Sequence, residues 1–398
     1  MDLTIYPSKL SGKIEAIPSK SQAHRLMICA AFSDRETILK CPQTNEDIQA
    51  TAQCLNALGA DIKRTETGYK IKPIGKLPNS ALIDCGESGS TLRFLLPVVC
   101  ALGINTTILM HGRLPYRPLT PLWEELTRMG AVLSKPTENT IQTSGKLHSG
   151  DFTISGNISS QFISGLLFAT ALLPGNSTIH ITGLLESKPY VDMTLYALNI
   201  FGVYINDYHI NSCYPFHSPG NLTVEGDWSN AAFFLAANAL GNAVEVTNLN
   251  PYSKQGDRVI KNLLANQEDI NTICARDIPD LVPILAVTFG AKKGVVFNDI
   301  ARLRLKESDR VASVCDMLNN LGAYATATEN TLTVNPGQYR GCTIDAANDH
   351  RIAMAAAIAA TVANGPVTIL GAECVSKSYP NFWNEYKRLG GKYEQYLR

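Results

Sequence analysis

Residues 348–363 read NDHRIAMAAAIAATVA, four polar residues followed by twelve that are almost all apolar. The same design occurs six times along the chain. Because such a run is apolar on nearly every side, it predicts a helix buried on all faces rather than a surface helix with one apolar stripe. The six segments span residues 19–33, 88–102, 159–173, 228–240, 278–289 and 348–363.

The starts of these segments recur at a nearly constant interval. They lie 69, 71, 69, 50 and 70 residues apart, which indicates a repeated unit with one shortened copy. A second series of amphipathic stretches lies between them, and its sixth member is predicted at 259–266, ending in Asn266. The other five stop at a glycine, a common helix stop. These glycines are Gly59, Gly130, Gly202, Gly322 and Gly390.

Alternating apolar and polar residues follow three of the glycine stops. Each alternating stretch is broken by a polar turn, which predicts a β-hairpin. The predicted hairpins pair 61–64 with 69–72, 132–135 with 140–143, and 324–328 with 331–334. Each unit therefore contains about two helices and several strands. The predicted fold class is α/β, with six βαββ-type repeats in two lobes and buried helices surrounded by sheets.

The composition excludes several classes of protein. Lys plus Arg and Asp plus Glu both number 35, so the bulk charge indicates neither nucleic acid nor an anionic membrane as a partner. Ten cysteines without a C-x-x-C pair, and an N-terminus without a signal-peptide pattern, predict reduced thiols and a cytoplasmic location. The longest uncharged apolar runs, 94–104 and 352–363, are shorter than the roughly 20 residues of a membrane span.

Cations near the starts of three predicted buried helices indicate an anion site. They are Lys20, Arg93 and Arg351. A helix N-terminus carries a partial positive charge and free N–H groups, so it disfavours cations and attracts anions. Capping explains Ser19, Ser88 and Asn348 at these starts. It does not explain the cations, and the helix starts together predict an anion-binding cleft.

Two loops add further basic residues. Arg117 lies between Pro115 and Pro118, which predicts a stiff loop that holds its guanidinium for forked contacts with phosphate or carboxylate. Segment 306–310, Lys-Glu-Ser-Asp-Arg, is either part of the same anion site or a solvated helix start with local ion pairs. The sequence lacks the usual nucleotide-binding loops, and its seven histidines lack metal-ligand spacing, so no metal or other cofactor is predicted.

Residues 18–25, Pro-Ser-Lys-Ser-Gln-Ala-His-Arg, resemble the P-S-K-S-x-x-x-R signature of the 5-enolpyruvylshikimate-3-phosphate (EPSP) synthase family. These are the 3-phosphoshikimate 1-carboxyvinyltransferases of aromatic amino-acid biosynthesis. The resemblance continues in the same order over essentially the whole chain. The further matching segments are 86–93, 113–118, 159–161, 187–190, 278–280, 306–310, 348–351 and 376–380.

The resemblance implies a two-lobed fold with three repeats in each lobe. The N-terminal lobe is expected at 18–221 and the C-terminal lobe at 1–17 and 222–398, with the active site in the cleft between them. The implied reaction transfers the enolpyruvyl (1-carboxyvinyl) group of phosphoenolpyruvate to the 5-hydroxyl of shikimate 3-phosphate and releases phosphate. This step belongs to the shikimate pathway to chorismate. A monomer is expected.

The family's site residues carry over position by position. The resemblance implies Asp280 as the base for the 5-hydroxyl, Glu307 as the acid at the methylene carbon, and Lys20 as a second donor and charge stabiliser. Shikimate 3-phosphate is expected to contact Ser21, Arg25, Ser159, Ser160, Gln161, Ser187, Tyr190 and Lys306. Phosphoenolpyruvate is expected to contact Lys20, Gly89, Arg117, Arg310, His350, Arg351 and Lys377.

Two positions depart from the family's pattern. Glu87 stands where many members have Asn, and Arg302 stands where many have an Asn that binds the shikimate side. Glu87 is expected to repel a phosphate unless Arg93 or another cation pairs with it. Arg302 is expected to add a different contact to an anion.

Two rival functions stay open. The sister enolpyruvyl transferase that acts on UDP-N-acetylglucosamine typically has Lys-Asn at the position of Lys20 and Ser21, with a loop cysteine as acid. In this chain Cys100 falls inside an apolar helix, where a reactive thiol is not expected. The second rival is a catalytically inactive anion-binding protein on the same scaffold, which the presence of Asp280 and Glu307 disfavours.

Overall fold

The computed structural model of the protein describes residues 1–212 and 215–396. The chain divides into two compact units. The N-terminal unit is Pro18–Glu225, and the C-terminal unit is formed by Met1–Ile17 together with Gly226–Arg398.

Twelve α-helices lie in the described residues, and two kinds alternate along the chain. The odd-numbered helices are buried over most of their length and fall on the six predicted apolar segments. The even-numbered helices are amphipathic or short. The helices are α1 Lys20–Ala31, α2 Glu46–Ala57, α3 Gly89–Leu102, α4 Leu122–Arg128, α5 Ser160–Ala171, α6 Lys188–Ile200, α7 Trp228–Ala239, α8 Ile260–Ala265, α9 Val282–Gly290, α10 Arg310–Leu321, α11 His350–Ala360 and α12 Phe382–Arg388.

Side-chain caps fix the starts of several buried helices. Ser88 caps α3 as predicted, because its hydroxyl oxygen accepts a hydrogen bond from the Thr91 N–H. The expectation for α11 is wrong by one residue, since Asp349 rather than Asn348 is the cap. Ser19 makes no side-chain cap hydrogen bond to α1.

The described residues contain 21 strands, and all three predicted hairpins are among them. The strands are β1 Asp2–Tyr6, β2 Ser11–Glu15, β3 Thr37–Lys40, β4 Asp61–Thr65, β5 Gly68–Lys72, β6 Ser80–Asp84, β7 Asn105–Leu109, β8 Ala131–Thr137, β9 Thr140–Gly145, β10 Asp151–Ser155, β11 Ser177–Thr182, β12 His209–Ile210, β13 Asn221–Thr223, β14 Ala243–Thr247, β15 Thr272–Cys274, β16 Val295–Asn298, β17 Tyr324–Ala327, β18 Thr331–Asn335, β19 Cys342–Asp345, β20 Val367–Leu370 and β21 Lys392–Tyr396.

These strands form six sheets, three in each unit. The second and fifth sheets along the chain are complete repeats, with orders β6-β7-β9-β8 and β15-β16-β18-β17. In each, a parallel pair flanks a buried helix and an antiparallel hairpin follows. The remaining orders are β13-β3-β5-β4, β10-β11-β12, β14-β2 and β19-β20-β1-β21.

Strands distant in sequence complete the irregular repeats. In the C-terminal unit, β2 pairs in parallel with β14, and β1 lies between β20 and β21. In the N-terminal unit, β13 pairs in parallel with β3. The boundary expected at 221 therefore cuts into β13, whereas the observed boundary follows Glu225.

Each unit has its own hydrophobic core, built around its three buried helices. The closest helix contact that needs a glycine is between α3 and α5. A Cβ atom on Gly165 would lie only 2.1 Å from the carbonyl oxygen of Arg93. This approach positions Gln161, one turn earlier on α5, to accept a hydrogen bond from Arg93 Nη1 at 2.9 Å.

No described helix is long and apolar enough to cross a membrane. Nine cysteines in the described residues are free thiols. The tenth, Cys213, lies outside the described residues.

Candidate active site

In the C-terminal unit, three cations surround the carboxylate of Asp280, which lies just before α9. Its Oδ1 accepts a hydrogen bond from Arg310 Nη1 at 2.8 Å and lies 3.7 Å from Lys306 Nζ. Its Oδ2 accepts from Arg351 Nη2 at 3.3 Å. These neighbours favour the ionised carboxylate, which is the form able to accept a proton.

Arg310 is held by three carboxylates at the start of α10. Its side chain is only 1% exposed. Nε donates to Asp349 Oδ2 at 2.9 Å and Nη2 donates to Glu307 Oε2 at 2.6 Å, in addition to the bond to Asp280. Of the two alternatives for segment 306–310, a solvated helix start is wrong for Arg310. Its expected contact with phosphoenolpyruvate stays a prediction.

Arg351, the second residue of α11, is a buried cation with unused donors. Its side chain is 2% exposed, and its Nε and Nη1 atoms have no hydrogen-bond partner among the described residues. The guanidinium lies 5.9 Å from the centre of the Phe233 ring. Because buried donors without acceptors are costly, this side chain is suited to receive an anion.

The other residues expected near phosphoenolpyruvate in this unit flank Arg351. His350 is 2% exposed and begins α11. Lys377 donates from Nζ to the carbonyl oxygen of Asn348 at 3.3 Å. Asn348 has φ +56° and Ala347 has φ +50°, so the backbone before α11 adopts the left-handed conformation twice in succession.

Burial shifts the pKa of two further groups beside Asp280. It lowers the pKa of Lys306 to about 8, and the positive charge of Arg310 acts in the same direction. Burial, helped by the negative charge of Asp280, raises the pKa of Asp257 to about 7. Asp257 is hydrogen-bonded by the Ser229 hydroxyl. Asp257 could not be recognised from the sequence, because a single Asp in a polar stretch has no distinguishing signal.

In the N-terminal unit, Lys20 and Arg25 both lie on α1, and each contacts other residues of the protein. Lys20 Nζ lies 3.1 Å from Asp47 Oδ2 on α2. Arg25 is 2% exposed and donates to the carbonyl oxygens of Ser21 and Tyr190 at 2.6 and 2.8 Å. Its burial lowers its pKa to about 10. The structure therefore joins three of the predicted shikimate-side residues through Arg25.

The start of α3 lies against two guanidinium groups. A Cβ atom on Gly89 would lie 2.7 Å from Arg117 Nη1 and 2.8 Å from Arg93 Nη1, so only glycine fits there without displacing them. The Nε atom of Arg117 is buried and finds no hydrogen-bond partner in the part of the chain that the structure describes. Gln161 links this region to α5, since its Nε2 donates to Ser90 Oγ at 2.9 Å.

The remaining predicted residues of this unit stand at two helix starts. Ser159 caps α5 by accepting from the Gln161 N–H, and Ser160 is buried as the first residue of that helix. Ser187 precedes α6 with φ +53° and is 2% exposed. A left-handed serine is uncommon, and such strain is often found at functional sites.

The cations at helix starts thus have partners within the protein. Lys20 pairs with Asp47, Arg351 pairs with Asp280, and Arg93 donates to Gln161. The anion-binding cleft expected from these helix starts stays a prediction. Sequence reasoning missed these partners because they come from other helices and loops.

The two departures from the family's pattern have different surroundings. Glu87 is exposed, and its carboxyl packs over Gly112, where a Cβ atom would lie 2.3 Å from the Glu87 Cδ atom. The charge of Arg302 contributes to lowering the pKa of Lys306, which places both cations in the same region of the C-terminal unit. Among the described residues, no group of three or more His, Cys, Asp or Glu side chains is arranged to hold a metal ion.

Comparisons with known proteins show the family of this chain. A sequence model of the family described as EPSP synthase (3-phosphoshikimate 1-carboxyvinyltransferase) matches residues 5–386. The 3-phosphoshikimate 1-carboxyvinyltransferase of Clostridium kluyveri is 37% identical, with 99% of this chain and 98% of that protein covered. The enzyme of the same name from Clostridium perfringens is 40% identical, with 97% and 98% covered.

Solved structures share the fold. An EPSP synthase from Acinetobacter baumannii matches with a TM-score of 0.80 at 23% identity, over 99% of this chain and 100% of that one. The enolpyruvyl transferase NikO from Streptomyces tendae matches with a TM-score of 0.72 at 16% identity, over 99% and 98%. The predicted mixed α/β, two-domain fold is confirmed. With a family match across most of its length and relatives at 37% and 40% identity, the chain belongs to the EPSP synthase family.

Proposed function

We propose that this protein transfers the 1-carboxyvinyl group of phosphoenolpyruvate to the 5-hydroxyl of shikimate 3-phosphate and releases inorganic phosphate. This is the activity for which its family is named. It is a transferase reaction of the shikimate pathway, which leads to chorismate and the aromatic amino acids.

The observation that carries the proposal is the environment of Arg351. Two of its nitrogen atoms are buried without an acceptor, and its third donates to Asp280, the proposed base. An anionic substrate bound there supplies the missing acceptors and stands next to a carboxylate that can accept a proton. Phosphoenolpyruvate has the required carboxylate and phosphate oxygens.

Asp280 is the proposed base for the 5-hydroxyl. As the hydroxyl oxygen attacks the enol carbon, its proton passes to the carboxylate and the methylene carbon takes up a proton, which gives a tetrahedral intermediate. Loss of a proton from the new methyl group then re-forms the double bond as the C–O bond to phosphate breaks. Lys306, whose Nζ lies 3.7 Å from Asp280 Oδ1, is proposed to bind shikimate 3-phosphate. Its pKa of about 8 leaves it mostly charged at pH 7.

Glu307 is the proposed acid at the methylene carbon. Its 2.6 Å ion pair with Arg310 favours the ionised form of Glu307. Protonation of Glu307 therefore requires another anion that competes with it for Arg310. The carboxylate and phosphate of the substrates bring that charge. Lys20 is the proposed second donor and charge stabiliser, and its partner Asp47 holds it at the start of α1.

The substrates are proposed to be held by residues of both units. Those proposed for shikimate 3-phosphate are Ser21, Arg25, Ser159, Ser160, Gln161, Ser187, Tyr190 and Lys306. Those proposed for phosphoenolpyruvate are Lys20, Gly89, Arg117, Arg310, His350, Arg351 and Lys377. The proposal therefore requires both units to act on one pair of substrates.

A phosphate-release assay tests the function. We expect the purified protein to release phosphate only when both substrates are present, and to release none when UDP-N-acetylglucosamine replaces shikimate 3-phosphate. Binding of shikimate 3-phosphate without any phosphate release would instead support an inactive anion-binding protein. Activity with UDP-N-acetylglucosamine is disfavoured because Cys100 is buried in α3 and burial raises its pKa to about 12.

The protein is also proposed to act as a monomer in the cytoplasm. Light scattering after gel filtration tests the first point, with 43.2 kDa expected for one chain. Cell fractionation tests the second.

A further inference from the structure

A chain of buried polar side chains joins three helices of the N-terminal unit. It begins at His24 on α1, whose Nδ1 lies 2.7 Å from Thr51 Oγ1 on α2. Thr51 Oγ1 lies 2.7 Å from Thr91 Oγ1, and the Thr91 hydroxyl donates to Ser88 Oγ at 2.8 Å. Each of the four side chains is at most 1% exposed. The chain thus ends at the residue that caps α3.

The proton positions along this chain follow from its last bond. Because the Thr91 hydroxyl donates to Ser88, it must accept from Thr51, and the Thr51 hydroxyl must in turn accept from His24 Nδ1–H. Burial lowers the pKa of His24 to about 4, so the ring is neutral at pH 7 and carries a single proton. The Nε2 atom, buried without a partner, is then the unprotonated nitrogen.

The same helices carry residues proposed to contact substrate. Lys20 lies one turn before His24 on α1, and its partner Asp47 lies one turn before Thr51 on α2. The two helices are therefore joined by two successive polar contacts. The second contact continues to α3, where Gly89 follows Ser88 and lies against the Arg117 guanidinium.

We propose that His24 is a positioning residue for the anion-binding start of α3. Through Thr51 and Thr91, His24 holds Ser88 in place. Ser88 in turn fixes the position of Gly89 relative to the Arg117 guanidinium. The inference rests on the proposed function, in which Gly89 and Arg117 contact phosphoenolpyruvate. It assigns His24 no contact with substrate.

Replacing Thr51 with valine interrupts this series of hydrogen bonds while keeping the shape of the side chain. Thr51→Val removes the hydroxyl and leaves His24 Nδ1–H without an acceptor, whereas Thr51→Ser keeps the hydroxyl. In Thr51→Val we expect the KM for phosphoenolpyruvate to rise about tenfold, comparable to the loss of one buried hydrogen bond. We expect kcat and the KM for shikimate 3-phosphate to change less than about twofold, and Thr51→Ser to restore the KM.

A second pair of variants tests the donor itself. His24→Asn places an amide N–H near the position of Nδ1 and should stay within about twofold of the wild-type KM for phosphoenolpyruvate. His24→Leu has no donor and should behave as Thr51→Val. If Thr51→Val does not fold, comparing the KM for phosphoenolpyruvate of His24→Leu with that of His24→Asn tests the same hydrogen bond.

Thr170→Val is the matched control for a lost buried hydroxyl. Thr170 is fully buried on α5, and its hydroxyl donates to the carbonyl oxygen of Leu166 at 2.7 Å, one turn earlier on the same helix. It should change neither KM, because its hydroxyl bonds to the backbone of its own helix. An active wild type with an unchanged KM in Thr51→Val, or an equal KM rise in Thr170→Val, would overturn this inference alone. An inactive wild type would overturn the proposed function and this inference together.

Discussion

Replacing Asp280 with Asn removes the proposed base while keeping its size. In the best orientation the Asn oxygen accepts from Arg310 Nη1, as Asp280 Oδ1 does at 2.8 Å. The Asn amide group then faces Arg351 Nη2, which donates to Oδ2 in the wild type. Two donors then face each other without an acceptor between them, so both the Asn amide and Arg351 Nη2 are left unsatisfied.

The structure sets the size of both effects. Leaving one donor unsatisfied costs about 1–3 kcal/mol of folding free energy. Water can reach the Asn amide, since the Asp280 side chain is 19% exposed, but not Arg351, which is 2% exposed, so we expect about 1–3 kcal/mol in total. Loss of general-base catalysis should lower kcat by about 10²- to 10⁴-fold. Binding of shikimate 3-phosphate should change less than about threefold.

The assay combines phosphate release with calorimetric binding of shikimate 3-phosphate. Glu385→Gln is the matched control, since Glu385 is 21% exposed and pairs with Arg388 at 2.6 Å in the same unit. It makes the same carboxylate-to-amide change away from the proposed site and should leave kcat unchanged. Near wild-type kcat in a folded Asp280→Asn protein would refute the assignment of Asp280 as base.

Three further predictions concern the binding residues and the fold. Lys377→Ala should mainly raise the KM for phosphoenolpyruvate, by about tenfold, when steady-state rates are measured with each substrate varied. Lys306 loses its charge as the pH rises through its pKa of about 8, so kcat/KM for shikimate 3-phosphate should fall across pH 8, and Lys306→Arg should abolish that fall. Gly165→Ala should lower the free energy of unfolding by about 3 kcal/mol in urea titrations, because its methyl group meets the Arg93 carbonyl, whereas Gly75→Ala, in open space, should have no effect.

The buried helices could be predicted from the sequence because their signal is local. The segment 88–102 differs from the observed α3, Gly89–Leu102, only by its cap. The start of α9 was predicted at 278 but lies at Val282. Pro283 fits only the first turn of a helix, and the residues before Val282 form turns.

The long-range strand pairings could not be predicted in the same way. Nothing in residues 2–6 indicates that β1 lies between β20 and β21, more than 360 residues away in sequence. The pairing of β13 with β3 also joins distant parts of the sequence. It keeps β13 in the N-terminal unit, which therefore ends at Glu225 rather than at 221. Such pairings depend on the tertiary fold, which local periodicity does not report.

The candidate site was predictable in its residues but not in their charge partners. The cations at Lys20 and Arg351 stood out because a helix start disfavours them. Their partners Asp47 and Asp280 approach from other elements. Of the carboxylates around Arg310, Asp280 and Asp349 also come from other segments, whereas Glu307, three residues earlier, is the local ion pair that the sequence allows.

Phosphorus NMR of the reaction mixture tests the proposed reaction most directly. With the purified protein, shikimate 3-phosphate and phosphoenolpyruvate, the phosphoenolpyruvate signal should fall as the signal of inorganic phosphate rises in equal amount. The phosphate on the shikimate ring should stay attached and shift as its neighbour gains the enolpyruvyl group. A phosphoenolpyruvate signal that does not change, or inorganic phosphate released from the shikimate ring instead, would contradict the account.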